Sequence, residues 1–519
     1  MVLLNWLRSD KGMLSLGLAV AILLLAKFHI TVLTKFHFQW ADMDQVSMWA
    51  AVHEMREGFF HMPRYWGQNY GSMLEAWIAI PFSSIPYPKL LPMSAYFLLL
   101  LPYLVISGTG FFRFDSGLER LKTSLLVVFF LALLPTEYIM IGAMPRDMGT
   151  GIAVTALALL FLHKPANFGF VAIGFFCVLG WSFNANAILL GAVLLTFSFF
   201  QQGDYSRLKK VLFLGIGCAL ALGIHLWIDG LYAQHPGWVV HERWAIVFSP
   251  EHLWSGLTHL DRHWGRITPV LHGAGWVYLL AFIGLSLLAI WQRNKAILLS
   301  LGVLVIIAFF ALGITKVHNA TDSIFFSHER MFLALPVAFI FLFSRLIFQL
   351  NSLKYGFAFV VAMLLSNIST LKSTIKSNLF EGQNHFLNIA LVSELEMKCA
   401  RIEKLYQSTR AEAIFIGPEV NYGSWLLSRS CPCLTEIELM VKPTYERKTW
   451  DLQKMDQANF NRILWISPLI SDSSLQDFPE IKVRQLEPLF NYNSIFLLEG
   501  EHMNPMHVYK ELGFKSVAY

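Results

Sequence analysis

The sequence predicts a polytopic α-helical membrane protein, with a bundle of about eleven transmembrane helices followed by a water-soluble C-terminal α/β domain. Three observations carry this. Of the 519 residues 55% are hydrophobic and only 14% charged, against about a quarter charged in an ordinary soluble chain, and mean hydropathy is +0.51. Apolar runs suited to a bilayer core of ~30 Å, which needs roughly 20 residues at 1.5 Å rise each, recur as far as Leu371 and then stop. The remaining ~150 residues carry spaced charges and short apolar runs. The chain therefore divides near 368–378, into a membrane domain over 1–370 and an α/β domain over 371–519.

The expected spans lie at 12–33, 90–108, 121–142, 148–162, 167–180, 186–200, 211–227, 276–291, 296–314, 331–343 and 355–367. The run that begins at Met13 is too long for a signal peptide and lacks a small-residue cleavage site, so it is expected to be the first spanning helix. Several others are short. The pair between Phe168 and Phe200, split by Trp181–Asn184, fits tilted or broken helices or a re-entrant hairpin.

Basic residues set the expected orientation. With the N-terminus cytoplasmic, the inner loops hold Arg8 and Lys11; Arg113, Arg120 and Lys122; Lys164; Arg207, Lys209 and Lys210; Arg293 and Lys295; and Arg345 and Lys354. Short cytoplasmic loops rich in Lys and Arg are what the positive-inside rule requires. An odd number of spans then leaves the C-terminal domain outside. The net charge of +5 is accounted for by these loops and gives no reason to expect nucleic acid. Cys177 and Cys218 fall in apolar runs and read as small hydrophobes. In an oxidising compartment Cys399 could pair with Cys431 or Cys433.

Polar chemistry gathers on the opposite side. The first external loop opens with Asp42-Met43-Asp44-Gln45. Two carboxylates there could supply a general base, bind a divalent cation or cap the helix expected over 46–57. Further along, Arg64 is suited to an anion, Gly67 and Gly71 mark turns, and Glu75 sits among aromatics. Arg146-Asp147 occupies a tight external turn, either as an ion pair or as part of a site. Glu137 lies within the outer third of a span, so it should face protein or a wet cavity. His328-Glu329-Arg330 directly precedes a helix, where Arg330 could hold a lipid-linked phosphate or anchor the interface. Other histidines are scattered through the second and third external loops without a zinc-ligand spacing.

These residues together resemble the GT-C superfamily of membrane glycosyltransferases, in particular the bacterial protein-mannosyltransferase and aminoarabinose-transferase-like group. Asp44-Gln45 stands where that family has an Asp-Glu pair. The string Trp66-Gly67-Gln68-Asn69-Tyr70-Gly71-Ser72-Met73-Leu74-Glu75-Ala76-Trp77 is similar to a Gly-Ser-Leu-Glu-Ala-Tyr turn of one bacterial branch. Arg146-Asp147 matches the second external turn, and Arg330 before Met331-Phe332-Leu333-Ala334-Leu335-Pro336 is similar to a basic element near the last spans. The chain departs from the family in Gln45, which removes a carboxylate, and in lacking a Lys-Pro-Pro after the turn.

The resemblance implies a bacterial inner-membrane enzyme with a periplasmic C-terminal domain. Its donor is a sugar on polyprenyl phosphate, and its acceptor is a hydroxyl of a glycan, lipid or protein. Asp44 is then the expected base, with Asp42 as its substitute and Asp147 assisting. Arg64, Tyr70, Glu75, Glu137, Arg146, His328 and Arg330 are the expected substrate contacts. A divalent cation would be held by Asp42 and Asp44. The rival reading is a transporter or flippase of a lipid-linked intermediate, for which internal repeats and midplane charges would be expected. No repeat is seen, and Lys27 and Glu137 are the charged exceptions within spans. In the C-terminal domain the pattern predicts a helix over 384–407 and strands over 413–416, 462–466 and 494–498.

Overall fold

The computed structural model describes residues 10–38, 63–64, 71–83, 148–162, 166–201, 205–235, 247–267, 274–318, 330–346, 389–416, 439–441, 459–468, 480–490 and 493–504, with scattered positions in 48–58, 93–106, 121–128 and 353–365. The chain falls into two compact units, one built from Met1–Val32, Pro63–Glu75 and Pro92–Ser377, the other from Leu33–Met62, Ala76–Leu91 and Asn378–Tyr519.

The first unit is helical. Its described helices are α1 (Asp10–Lys35), α2 (Leu74–Ala79), α3 (Thr150–Ala156), α4 (Asn167–Phe183), α5 (Ile188–Phe200), α6 (Arg207–Gln234), α7 (Pro250–Thr258), α8 (Leu260–Trp264), α9 (Val277–Trp291), α10 (Lys295–Leu312), α11 (Thr315–His318) and α12 (Ala334–Ser344); α1 and α2 each run past the edge of this unit. Local chemistry fixes several starts. Ser206, Ser249 and Asn294 accept the backbone N–H of Lys209, His252 and Ile297 to cap α6, α7 and α10, and Pro250 occupies the first turn of α7, where its missing N–H costs nothing. Helix α9 stops because Arg293 turns left-handed at φ 51, which brings Asn294 N–H back to Ala289 O at 2.8 Å.

Along α1, Leu14, Leu18, Ala21 and Leu25 form one buried stripe with Leu121, Leu125, Val128, Leu353 and Val360. A Cβ on Gly17 would meet the Phe357 ring at 2.6 Å, so only glycine admits that ring. The other face is apolar too, with Leu16, Leu23, Leu24 and Ile30 exposed. Helices α4 and α6 approach through paired glycines: a Cβ on Gly174 would lie 2.2 Å from Leu214 O, and one on Gly217 would lie 2.0 Å from Val171 O. Such backbone contact is how small residues let apolar helices associate.

Among the described residues two helices, α6 with 28 residues and α10 with 18, are long and apolar enough to cross a bilayer. The apolar helices Thr150–Phe161, Asn167–Phe183, Ala185–Phe200, Val277–Trp291 and Arg330–Ser344 are shorter, so the expectation of about eleven spans is not reached there. The shortening has local causes. Leu157–Phe161 winds as a 3-10 helix. Asn184 leaves the helical region at φ −151, ψ 130 and splits α4 from α5, where the sequence places a break.

The second unit holds β1 (Phe36–Phe38), β2 (Ile389–Leu391), α13 (Val392–Thr409), β3 (Ala413–Ile416), β4 (Leu439–Val441), β5 (Phe460–Pro468), β6 (Lys482–Phe490) and β7 (Asn493–Met503). The five-stranded sheet has the order β4-β3-β5-β7-β6, parallel around β3 and antiparallel around β7. Consecutive residues Ile463, Leu464 and Trp465, and Ile495 to Leu498, are all buried, so both faces of the central strands are covered. The helix expected over 384–407 begins only at Val392. Ile389–Leu391 instead pairs antiparallel with Phe36–Phe38, a partner more than three hundred residues away that no local pattern announces.

Candidate functional site

Three of the charged candidate site residues, Arg64, Glu75 and Arg330, are described, and each has polar contacts within the helical unit. Met73 N–H donates to Pro63 O at 3.4 Å. This places Pro63 beside Met73.

Arg64 is buried, and its guanidinium forms an ion pair with Asp229 near the end of α6. Its backbone N–H donates to the Tyr232 hydroxyl at 3.1 Å, and its guanidinium carbon lies 5.6 Å from the centre of that ring. His225, one turn earlier, reaches the second Asp229 oxygen at 3.8 Å and packs against Trp181. The anion expected for Arg64 is thus present within the chain. Asp229 stays half-buried while Arg64 is enclosed, so this pair is neither a screened surface contact nor a fully desolvated one.

Glu75 is fully buried and accepts the Thr150 hydroxyl at 3.4 Å. Thr150 opens α3, directly after Met148 and Gly149. Asn186, fully buried in the break between α4 and α5, donates its amide to Met148 O at 2.9 Å and to Arg330 O at 3.3 Å. One side chain therefore fastens the segment that follows Arg146-Asp147 to the turn that carries Arg330. The crossing beneath it is tight: a Cβ on Gly180 would lie 2.0 Å from the Thr155 hydroxyl, and one on Gly151 would lie 2.7 Å from Gly180 O.

Arg64 is joined to Asp229 and Tyr232, Glu75 to Thr150, and the Arg330 carbonyl to Asn186, which also holds Met148 O. Asp42, Asp44, Tyr70, Glu137, Arg146, Asp147 and His328 lie outside the described residues, as do Cys431 and Cys433. Sequence reasoning missed Asn186 and Asp229. The signal for Asn186 was present, because Asn184-Ala185-Asn186 interrupts an otherwise apolar run. Asp229, which ends the apolar core of α6, carried the same kind of signal.

Histidines that looked scattered in the sequence also meet. His252 of α7 stacks on His318 of α11 with ring centres 4.7 Å apart and planes 8° from parallel, and His263 of α8 meets His318 edge-on at 5.0 Å. The rings pack on one another; among the described residues no three His, Cys, Asp or Glu side chains are grouped to hold a metal ion. The chain matches no protein-family model, no curated protein and no solved structure.

Proposed function

We propose that this chain is an integral-membrane glycosyltransferase that moves a sugar from a polyprenyl-phosphate donor to an acceptor hydroxyl at the extracytoplasmic face. The observation that carries the reading is the convergence of three segments chosen independently from the sequence. Glu75 meets Thr150, and Asn186 joins Met148 O to Arg330 O. Ionisable groups such as Glu75, fully buried among apolar helices, are costly to keep unless paired or functional.

Sidedness supports the membrane reading. The expected outer loops contact one another: Arg64 with Asp229, and Val247 O with Thr315 N–H at 2.9 Å. The expected inner loops do likewise, Lys354 with Asp10 at 2.5 Å and Lys122 with Leu346 O at 2.5 Å. Large apolar side chains such as Leu23, Leu226 and Ile306 are 59–69% exposed on α1, α6 and α10, a pattern that lipid relieves and water penalises.

In this reading the acceptor oxygen attacks the anomeric carbon as the bond from that carbon to the phosphate oxygen breaks, and the configuration inverts. Asp44 takes the acceptor proton, and the bonding electrons leave with the polyprenyl phosphate. Arg330 and Arg146 neutralise the phosphate charge as it develops. Arg64 contributes in competition with Asp229, its partner in the resting chain. Glu75 and Asp147 orient sugar or acceptor. Asp42 and Asp44 are the residues that would hold a divalent cation.

The test is turnover by purified protein in nanodiscs with a panel of polyprenyl-phosphate sugars, read as released polyprenyl phosphate. Asp44→Asn is expected to lower the rate by about 10²–10⁴-fold with donor binding kept. Loss confined to Asp42→Asn moves the base to Asp42. Donors that neither bind nor turn over sink the transferase reading in favour of lipid translocation, which the protein reconstituted into sealed liposomes can report.

A further inference from the structure

We infer that His252, His263 and His318 form an acid-responsive latch between two extramembrane segments, those over 247–267 and 313–318. The two are joined first by backbone. Phe248 and Ile314 form an antiparallel bridge, Thr315 N–H donates to Val247 O at 2.9 Å, and Ser249 N–H donates to Gly313 O at 3.0 Å. Behind this short ladder the three imidazoles stack, His318 sandwiched between the face of His252 and the edge of His263.

Protonation states follow from the partners. His318 Nε2 lies 2.6 Å from Leu312 O, so it carries a hydrogen and donates; a further proton on that ring goes to Nδ1. His252 Nδ1 is buried and without a hydrogen-bond partner among the described residues. His263 is buried. A neutral imidazole stacks on another readily, and one imidazolium can share such a stack. Two imidazolium rings at the 4.7 Å spacing of His252 and His318 repel each other in a partly dry site. Histidine is the side chain that makes this change between about pH 5 and 8.

The other charged and titratable groups described on the packed elements are Glu251 on α7, His259 at its C-cap, Asp261 and Arg262 on α8, and Lys295 at the far end of α10. Glu251, His259, Asp261 and Arg262 are exposed, and Asp261 is engaged by Gly275 N–H at 2.5 Å. Lys316 shares the short α11 in sequence. The latch reaches further inward. Trp264, adjacent to His263 and fully buried, packs edge-on against Phe332 at 5.8 Å, two residues from Arg330. Opening the stack therefore loosens the wall behind the turn that Asn186 holds.

Hydrogen–deuterium exchange of the full chain in nanodiscs tests this without any assumption about the reaction. After correction for intrinsic exchange, amides of 249–258 and 313–318 are expected to lose protection by about tenfold or more between about pH 8 and about pH 5, reversibly. His318→Gln, which keeps a donor for Leu312 O, is expected to hold protection at both values; His259→Gln, at an exposed ring, is expected to leave the step unchanged. Equal protection of the wild type at both values overturns the latch. So does a step that survives in the chain carrying His252→Gln, His263→Gln and His318→Gln. Should that triple variant misfold, the single His318→Gln comparison decides alone.

Discussion

At the scale of single residues, Asn186 is the most exposed to test. Its amide spans sequence separations of 38 and 144 residues to reach Met148 O and Arg330 O. Replacing it by alanine takes the amide donor from both carbonyls in a buried break; Arg330 O keeps Leu333 N–H, and a group left unsatisfied costs about 1–3 kcal/mol. Asn186→Ala is therefore expected to lower the unfolding temperature in detergent and to weaken polyprenyl-phosphate binding, because the Arg330 turn loses its tether. Asn186→Asp should be worse, since a carboxylate offers no donor to either oxygen. A variant with unchanged melting and binding would remove Asn186 from the site. The same residue marks how far the sequence could be read. Arg64, Glu75 and Arg330 were conspicuous because charge is rare in this chain, whereas Thr150, Asn186 and Asp229 acquire meaning only from partners far along it. The histidines are the sharpest case: three residues without ligand spacing become one stack when two segments zip together.

At the scale of elements, the seam between α4 and α6 separates glycines that must be glycine from those that need not be. A side chain on Gly217 would strike the Val171 carbonyl at 2.0 Å and the Phe175 nitrogen at 2.7 Å, both backbone atoms that cannot rotate away. Gly215 and Gly223, on the same helix, have nothing within 4 Å of an added Cβ. Gly217→Ala should force the helices apart and cost about 1–3 kcal/mol. Gly215→Ala should be neutral or gain up to about 1 kcal/mol from helix propensity. Chemical denaturation of both variants, followed by circular dichroism, checks the contrast; equal effects would mean the seam is not as close as described. Helix positions were legible because apolar runs announce themselves: 10–35, 167–183, 207–234, 277–291 and 295–312 all begin or end within a few residues of expectation. Strand β6 was not, because Lys482-Val483-Arg484-Gln485-Leu486-Glu487-Pro488 lacks an apolar run and owes its pairing to β7. The pairing of β2 with β1 was equally silent, which is why the helix expected over 384–407 starts at Val392 instead.

At the scale of the whole molecule, the open question is which faces meet lipid and which meet water, and the described contacts make a definite forecast. Polar contacts join loops expected outside to one another, Arg64 to Asp229 and Val247 to Thr315, and loops expected inside to one another, Lys354 to Asp10 and Lys122 to Leu346. Helices α6 and α10 are long and apolar enough to cross a bilayer, and the basic start of α6 at Arg207, Lys209 and Lys210 is expected in the cytoplasm. Trp254, 70% exposed on α7, is expected on the other side. Single cysteines at Trp254 and at Lys209, in a chain whose Cys177 and Cys218 are alanine and whose Cys399, Cys431 and Cys433 are serine, should then differ in intact cells. Trp254→Cys should react with a membrane-impermeant maleimide at once, and Lys209→Cys only after permeabilisation. The opposite result inverts the topology and moves Arg64, Glu75 and Arg330 to the cytoplasmic face, where a nucleotide-linked donor would have to replace the lipid-linked one. Labelling of both without permeabilisation would deny that α6 crosses, and with it the premise that apolar exposure on this helix is covered by lipid.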